Sequence, residues 1–146
     1  MPDAEDAITS NAGWDTLKNR EFLKEVIQTL KQAGIRTSIF IDPVVAQIEG
    51  AVHTGTDRVE LYTEAYAKTF QDNPQEAVKA YSQCALITHK IGLGVNAGHD
   101  LSLENIAFFK TNVPHLLEVS IGHALVCESL FQGLNNVISQ YLIALK

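Results

Sequence analysis

The sequence predicts an α/β protein built on parallel strands, and three observations carry that prediction. Helical spacing of apolar residues alternates four times with short runs rich in β-branched and aromatic residues. Glycine, proline or a short polar residue marks the junctions between them. Residues suited to binding or proton transfer gather at or just after the ends of the strand-like runs: Asp42, Thr63, Asn96, His99, Ser120, Gly122 and His123. Strict alternation with short connections implies parallel strands joined by right-handed crossovers.

Taken in order, residues 1–14 read as a leader loop, with turn chemistry at Ser10-Asn11-Ala12-Gly13. A helix is predicted over 15–33, because Leu23, Val26, Ile27 and Leu30 repeat at i, i+3, i+4, i+7 and Gly34 supplies a C-terminal cap. Ile35 to Ile41 reads as a strand stopped by Asp42-Pro43, since proline cannot extend a ladder. A short helix over 44–52 closes near Gly55, and a second strand covers Arg58 to Thr63. Asn73 and Pro74 then take the N-cap and first positions of a helix whose buried face carries Ala77, Val78, Tyr81, Cys84 and Ala85. The third strand is Leu93 to Ala97, Ser102 is the expected cap of the next helix, and the fourth strand is Leu116 to Ile121. Two helices, 123–131 and 134–145, end the chain with Gly133 between them.

Composition narrows the function. The 146 residues are 46% hydrophobic, enough for one domain with a real core. The formal charge of −6 and the lack of a basic cluster argue against nucleic acid as a partner. No apolar run approaches the ~18 residues of a membrane span, and the acidic start differs from a signal peptide, so a cytoplasmic location is expected. Cys84 and Cys127 read as two reduced core thiols. No metal site is expected: His99 and His123 lack carboxylates or thiolates at ligand spacing, and His53, His89 and His115 read as helix or loop positions. The Walker A loop, the GxGxxG fingerprint and the GxSxG elbow do not occur. Four strands fit either a small doubly wound sheet or part of a (β/α)8 barrel, whose complete form takes about 250 residues. Both gather their chemistry at the C-terminal strand ends.

Three segments stand out. Glu60 lies mid-strand with Val59 and Leu61 facing the other way, and a carboxylate in a covered sheet must be paired, hydrated or functional. A partner for the bland reading is Arg58 or a nearby lysine. The stretch Gly92 to Leu101 passes from strand into a glycine-containing turn that presents His99, whose imidazole titrates near neutrality. An exposed loop histidine is the alternative. Ser120-Ile121-Gly122-His123-Ala124 puts glycine where a strand turns into a helix, and free N–H groups there bind phosphate without lysine, although glycine is common at such turns for steric reasons alone.

Together, Thr37 to Asp42, Val59 to Thr63 with Tyr66-Ala67, Val95 to Leu101 and Val119 to Ala124 closely resemble the pyridoxine 5′-phosphate synthase family. The NAGH and IGHA segments are the specific ones, and Pro2-Asp3 and Gly13-Trp14-Asp15 belong to the same likeness. The resemblance implies a (β/α)8 barrel enzyme of vitamin B6 synthesis, a transferase that condenses 1-deoxy-D-xylulose 5-phosphate with 3-amino-2-oxopropyl phosphate and closes a pyridine ring. It implies His99 as proton donor, Glu60 as stabiliser of charged intermediates, and Gly122 and His123 as the pair that binds the amino-ketone's phosphate. Asp100 takes the position whose backbone also contacts that substrate. No cofactor is expected, and the implied partners are phosphorylated small molecules and further copies in a homo-oligomer.

The likeness covers only the last four βα units of the family. The chain therefore reads as a single-domain C-terminal half-barrel, from a truncated reading frame or a deliberate fragment, and is expected to be inactive alone. The alternative is a non-catalytic phosphate-binding or assembly module. Two unpaired edge strands and an uncovered inner face make association a hazard.

Overall fold

The first helical pattern ends in a Schellman turn. Helix α1 (Arg20–Gln32) stops because Gly34 takes φ +73°, which lets Ile35 N donate to Leu30 O at 3.1 Å and Gly34 N to Lys31 O at 2.9 Å. The computed structural model describes residue 8 and residues 10–146, so the Pro2-Asp3 part of the leader lies outside it. The helix begins later than the periodicity suggested, at Arg20, because the Asp15 side chain accepts from Leu17 N and Lys18 N and holds the preceding residues in a turn.

Strand β1 (Ser38–Ile41) is likewise shorter than predicted, since the Thr37 N–H is taken by the Asp57 carboxylate at 2.8 Å. Asp57 also pairs with Lys31 at 2.7 Å, and these two partners hold its pKa down at about 2. A depressed carboxylate stabilises the fold above its unfolded value, and the benefit is lost as pH falls through about 2. Asp57→Asn should therefore lower the melting temperature at neutral pH, with the gap to the unaltered chain closing as the pH falls toward that range. A gap that persists undiminished in acid would show that the carboxylate charge is not what matters.

Helix α2 (Val45–Val52) leads to β2 (Arg58–Tyr62), and a short helix the periodicity did not reveal, α3 (Glu64–Thr69), follows the strand directly. Six residues are too few to show a period of 3.6. Helix α4 (Pro74–Lys90) starts as expected, with Asn73 Oδ1 accepting from Glu76 N at 3.2 Å. After β3 (Gly94–Gly98), the expected cap at Ser102 is corrected: helix α5 (Ile106–Asn112) has Asn105 as its N-cap residue. Ser102 instead offers its carbonyl to Asn105 N and Ile106 N and donates its own N–H to Asn105 Oδ1. Strand β4 (Leu116–Ser120), α6 (His123–Gln132) and α7 (Leu134–Ala144) complete the chain, with Gly133 at φ +82° between the last two.

The four strands form one parallel sheet in chain order, β1-β2-β3-β4, as the α/β class predicted. Ile39, Ile41, Val59, Leu61, Val95 and Ala97 alternate onto the helix side and are buried there with Tyr66, Tyr81 and Phe109. Period-two alternation sends Phe40, Glu60 and Asn96, which are in register across the sheet, to the opposite face. On that face Arg36, just before β1, pairs with Glu118 of β4 at 3.1 Å, and Arg58 of β2 reaches the same carboxylate at 2.9 Å. First and fourth strands of a flat sheet stand roughly 14 Å apart at the usual spacing. A contact across that span fits a sheet curled toward this face, as in part of a barrel.

Of the two predicted core thiols only Cys84 is buried, and burial pushes its pKa up to about 11; Cys127 is exposed. The reason is that α6, which carries Cys127, has no buried residue among its ten. No helix among the described residues is long and apolar enough to cross a membrane.

Candidate active site

A cleft of about 990 Å³ opens at the C-terminal ends of the strands, and Glu60, His99, Asp100, Gly122 and His123 all line it. Phe40, Ser120, Ile121, Ala124 and Ile8 complete its wall. Glu60 comes from the middle of β2, His99 and Asp100 from the turn after β3, and the glycine-histidine pair from the start of α6.

Glu60 is partly exposed on the curled face and has Arg58 as a strand neighbour, yet Arg58 spends its guanidinium on Asn96 and Glu118. The ion-pair explanation for Glu60 through Arg58 therefore finds no support in the geometry. Burial pushes the Glu60 pKa above the ordinary glutamate value; the Ser120 hydroxyl and the His99 charge draw it part of the way back, and Glu118 adds to the rise. Proton uptake at Glu60 thus favours the folded chain below its unfolded value, and that advantage fades as pH rises through the higher folded value.

Gly98 makes room for this carboxyl. A Cβ there would sit 2.9 Å from Glu60 Oε1 and closer still to the Ser120 backbone, so any side chain would push Glu60 aside.

His99 is held in a left-handed conformation, φ +89°, which few residues other than glycine adopt. Its N–H donates to Ser120 O at 3.0 Å, its Nδ1 lies 3.0 Å from Asp100 Oδ2, and its ring meets Tyr62 edge-on at 5.8 Å. The Asp100 carboxylate thus touches the imidazole, while the Asp100 N–H is bound to the Thr63 hydroxyl at 3.1 Å. Tyr62 was not singled out by sequence reading. Its place two residues after Glu60 on the same strand face was the available signal. It packs on Phe40 at 5.0 Å, donates to Ser10 O at 3.0 Å, and burial raises its pKa to about 12.

At the far wall, α6 starts at His123 with Gly122 as its N-cap residue. The chain has nine glycines. Four have positive φ, and at four others a Cβ would strike a neighbour within 3 Å. Gly122 alone has neither constraint, since its φ is −112° and nothing stands within 4 Å of where a Cβ would go. Neither backbone conformation nor packing requires glycine there. What its bareness provides is open space beside the helix start. His123 Nε2 lies 3.6 Å from Cys127 Sγ, one turn along the helix. Among the described residues, no group of three or more histidine, cysteine, aspartate or glutamate side chains is placed to hold a metal ion.

A model of the pyridoxal phosphate biosynthesis protein PdxJ family matches residues 1–146. The chain belongs to this family. PdxJ relatives of high similarity include the pyridoxine 5′-phosphate synthases of Christiangramia forsetii, 62% identical, and Flavobacterium johnsoniae, 60% identical, each over the whole chain. That of Cytophaga hutchinsonii is 56% identical over the same 146 residues. The chain covers 62%, 62% and 61% of these three proteins, so it spans about three-fifths of the length of the curated PdxJ relatives it matches. Among solved structures, the HMG-CoA lyase of Brucella melitensis, a TIM-barrel enzyme, aligns with a TM-score of 0.54 at 16% identity. The match covers 84% of this chain and 47% of the lyase. At that identity the likeness speaks for the fold alone: four βα units of the kind found in a TIM barrel.

Proposed function

We propose that this chain carries the C-terminal half of the active site of a pyridoxine 5′-phosphate synthase, the name its PdxJ relatives bear. In this reading the cleft takes two phosphorylated substrates, 1-deoxy-D-xylulose 5-phosphate and 3-amino-2-oxopropyl phosphate. The observation that carries it is the unexplained bareness of Gly122, beside a helix start, in the same cleft as His99 and Glu60.

The physical roles follow from position. The first-turn N–H groups of α6 and the helix dipole favour an anion, so the amino-ketone's phosphate sits over Gly122 and His123. His99, whose Nδ1 is engaged by Asp100, acts as the imidazolium: it donates the Nε2 proton to a departing oxygen and is left as the neutral ring with its remaining proton on Nδ1 toward Asp100. Glu60 has its proton affinity raised by burial, so it exchanges a proton nearer neutrality and compensates positive charge as the ring closes. The remaining acid and base groups belong to the part of the relatives that this chain does not span. Association into a homo-oligomer fits the exposed apolar rows Phe22, Val26, Leu30 on α1 and Leu134, Ile138, Leu142 on α7.

A phosphate titration followed by NMR tests the anion site. The amides of Gly122, His123 and Ala124 should move first and the His99 ring second. Gly122→Val should abolish the shifts by filling the open space, whereas His53→Ala should leave them intact. Should phosphate instead perturb α1 around Lys24 and leave Gly122 still, the assignment fails.

A further inference from the structure

The Thr63 hydroxyl stands between the two peptide groups that flank His99. It donates to Gly98 O and accepts from Asp100 N at 3.1 Å, and Thr63 is fully buried. We propose that Thr63 is a positioning residue that holds His99 in its left-handed conformation and thereby sets the imidazole against Asp100.

The argument rests on what a non-glycine residue at φ +89° requires. Such a backbone relaxes to an ordinary conformation unless its neighbours over-determine it. Three hydrogen bonds do so here. One joins His99 N to Ser120 O on the neighbouring strand, and the other two converge on the single Thr63 oxygen, one from each side of the strained residue. Thr63 itself is fixed, since it is the N-cap residue of α3 and its carbonyl accepts from Ala67 N at 3.0 Å. The capping hydroxyl that would ordinarily serve its own helix is spent on the turn after β3 instead, because α3 shows no side-chain cap bond. Helix α3 therefore acts as the anchor of the turn that presents the histidine. With Thr63 in place, Asp100 Oδ2 faces His99 Nδ1 and selects the tautomer with the proton on Nδ1.

The role of Thr63 is independent of the reaction assigned to the cleft, while its consequence for turnover rests on His99 being the proton donor. Ring nitrogen shifts of His99, read by NMR on the 146-residue chain, report the tautomer. The unaltered chain and Thr63→Ser should both show the Nδ1-protonated form. Thr63→Val should show mixed tautomers and should lose the response of the His99 ring to added inorganic phosphate, while the Gly122 amide still responds. Unchanged ring shifts in Thr63→Val, or a Thr63→Ser that behaves like valine, would overturn the proposal. If Thr63→Val alone does not fold, the pair is compared by denaturation in a His99→Gly background, where the turn no longer needs holding. Folding restored there supports the proposal, and no restoration defeats it. A moved tautomer without a change in turnover, in a chain completed by a relative's N-terminal segment, would keep Thr63 as the positioner and remove His99 as the proton donor.

Discussion

His99→Ala should lower turnover by roughly 10²- to 10⁴-fold, the range a positioned general acid contributes. The chain spans 62% of the Christiangramia forsetii relative, so on the proposed reading turnover is measured with that relative's N-terminal segment fused ahead of it. At 62% identity over all 146 residues, the packing of that segment against the last four βα units should be largely preserved. On the proposed reading the fusion should form pyridoxine 5′-phosphate from the two phosphorylated substrates, and the 146-residue chain alone, which spans 62% of that relative, should not. A second substitution separates chemistry from folding. His99→Gly should lose turnover equally while holding its stability, since glycine relieves a left-handed strain worth about 1–3 kcal/mol. Full product formation by the unfused chain, or by the fused His99→Ala variant, would contradict the assignment.

Tyr66→Ala should cost about 3–5 kcal/mol, the usual price of deleting a buried aromatic ring. Tyr66 is fully buried in α3, and its ring packs on Phe109 at 4.8 Å, Phe70 at 5.3 Å and Tyr81 at 5.8 Å. Its hydroxyl donates to Asn105 O at 2.7 Å, and its N–H donates to the Tyr81 hydroxyl. One side chain thus joins α3, α4 and the start of α5. Urea denaturation should show the full loss in Tyr66→Ala and only about 1 kcal/mol in Tyr66→Phe, because the Asn105 carbonyl keeps its bond from Phe109 N. Equal losses in the two variants would mean that the hydroxyl, not the ring, supports the core.

The parallel run of the strands and the face each side chain takes were legible in the sequence, because short alternating connections and period-two patterning are local, whereas the strand order, open between a doubly wound sheet and a barrel, was decided by the fold. Val59 and Leu61 alternate with Glu60 on a period of two, and only one assignment of faces buries the apolar pair. Gly34 and Gly133 were readable as helix ends for a similar reason, since a left-handed residue at a C-terminus favours glycine whatever surrounds it. The residues that line the cleft at the strand ends, Glu60, His99, Asp100, Gly122 and His123, were readable too, as a mid-strand carboxylate and polar positions at strand ends, and then as the NAGH and IGHA segments. What the sequence could not disclose is how groups far apart in the chain meet. Helix α3 was invisible because it is held by the core contacts of Tyr66 rather than by a periodicity of its own. The cap at Ser102 was misplaced because Asn105 competes for the same turn, and propensity alone does not rank two capping residues three positions apart. Cys127 was read as core because an apolar helix looks alike whether the fold covers it or not. Curvature was likewise undecided until Arg36 met Glu118, 82 residues away. The Thr63 bridge over His99 spans 35 and 37 residues, and hydrogen bonds of that range exist only once parallel pairing has brought the strand ends together.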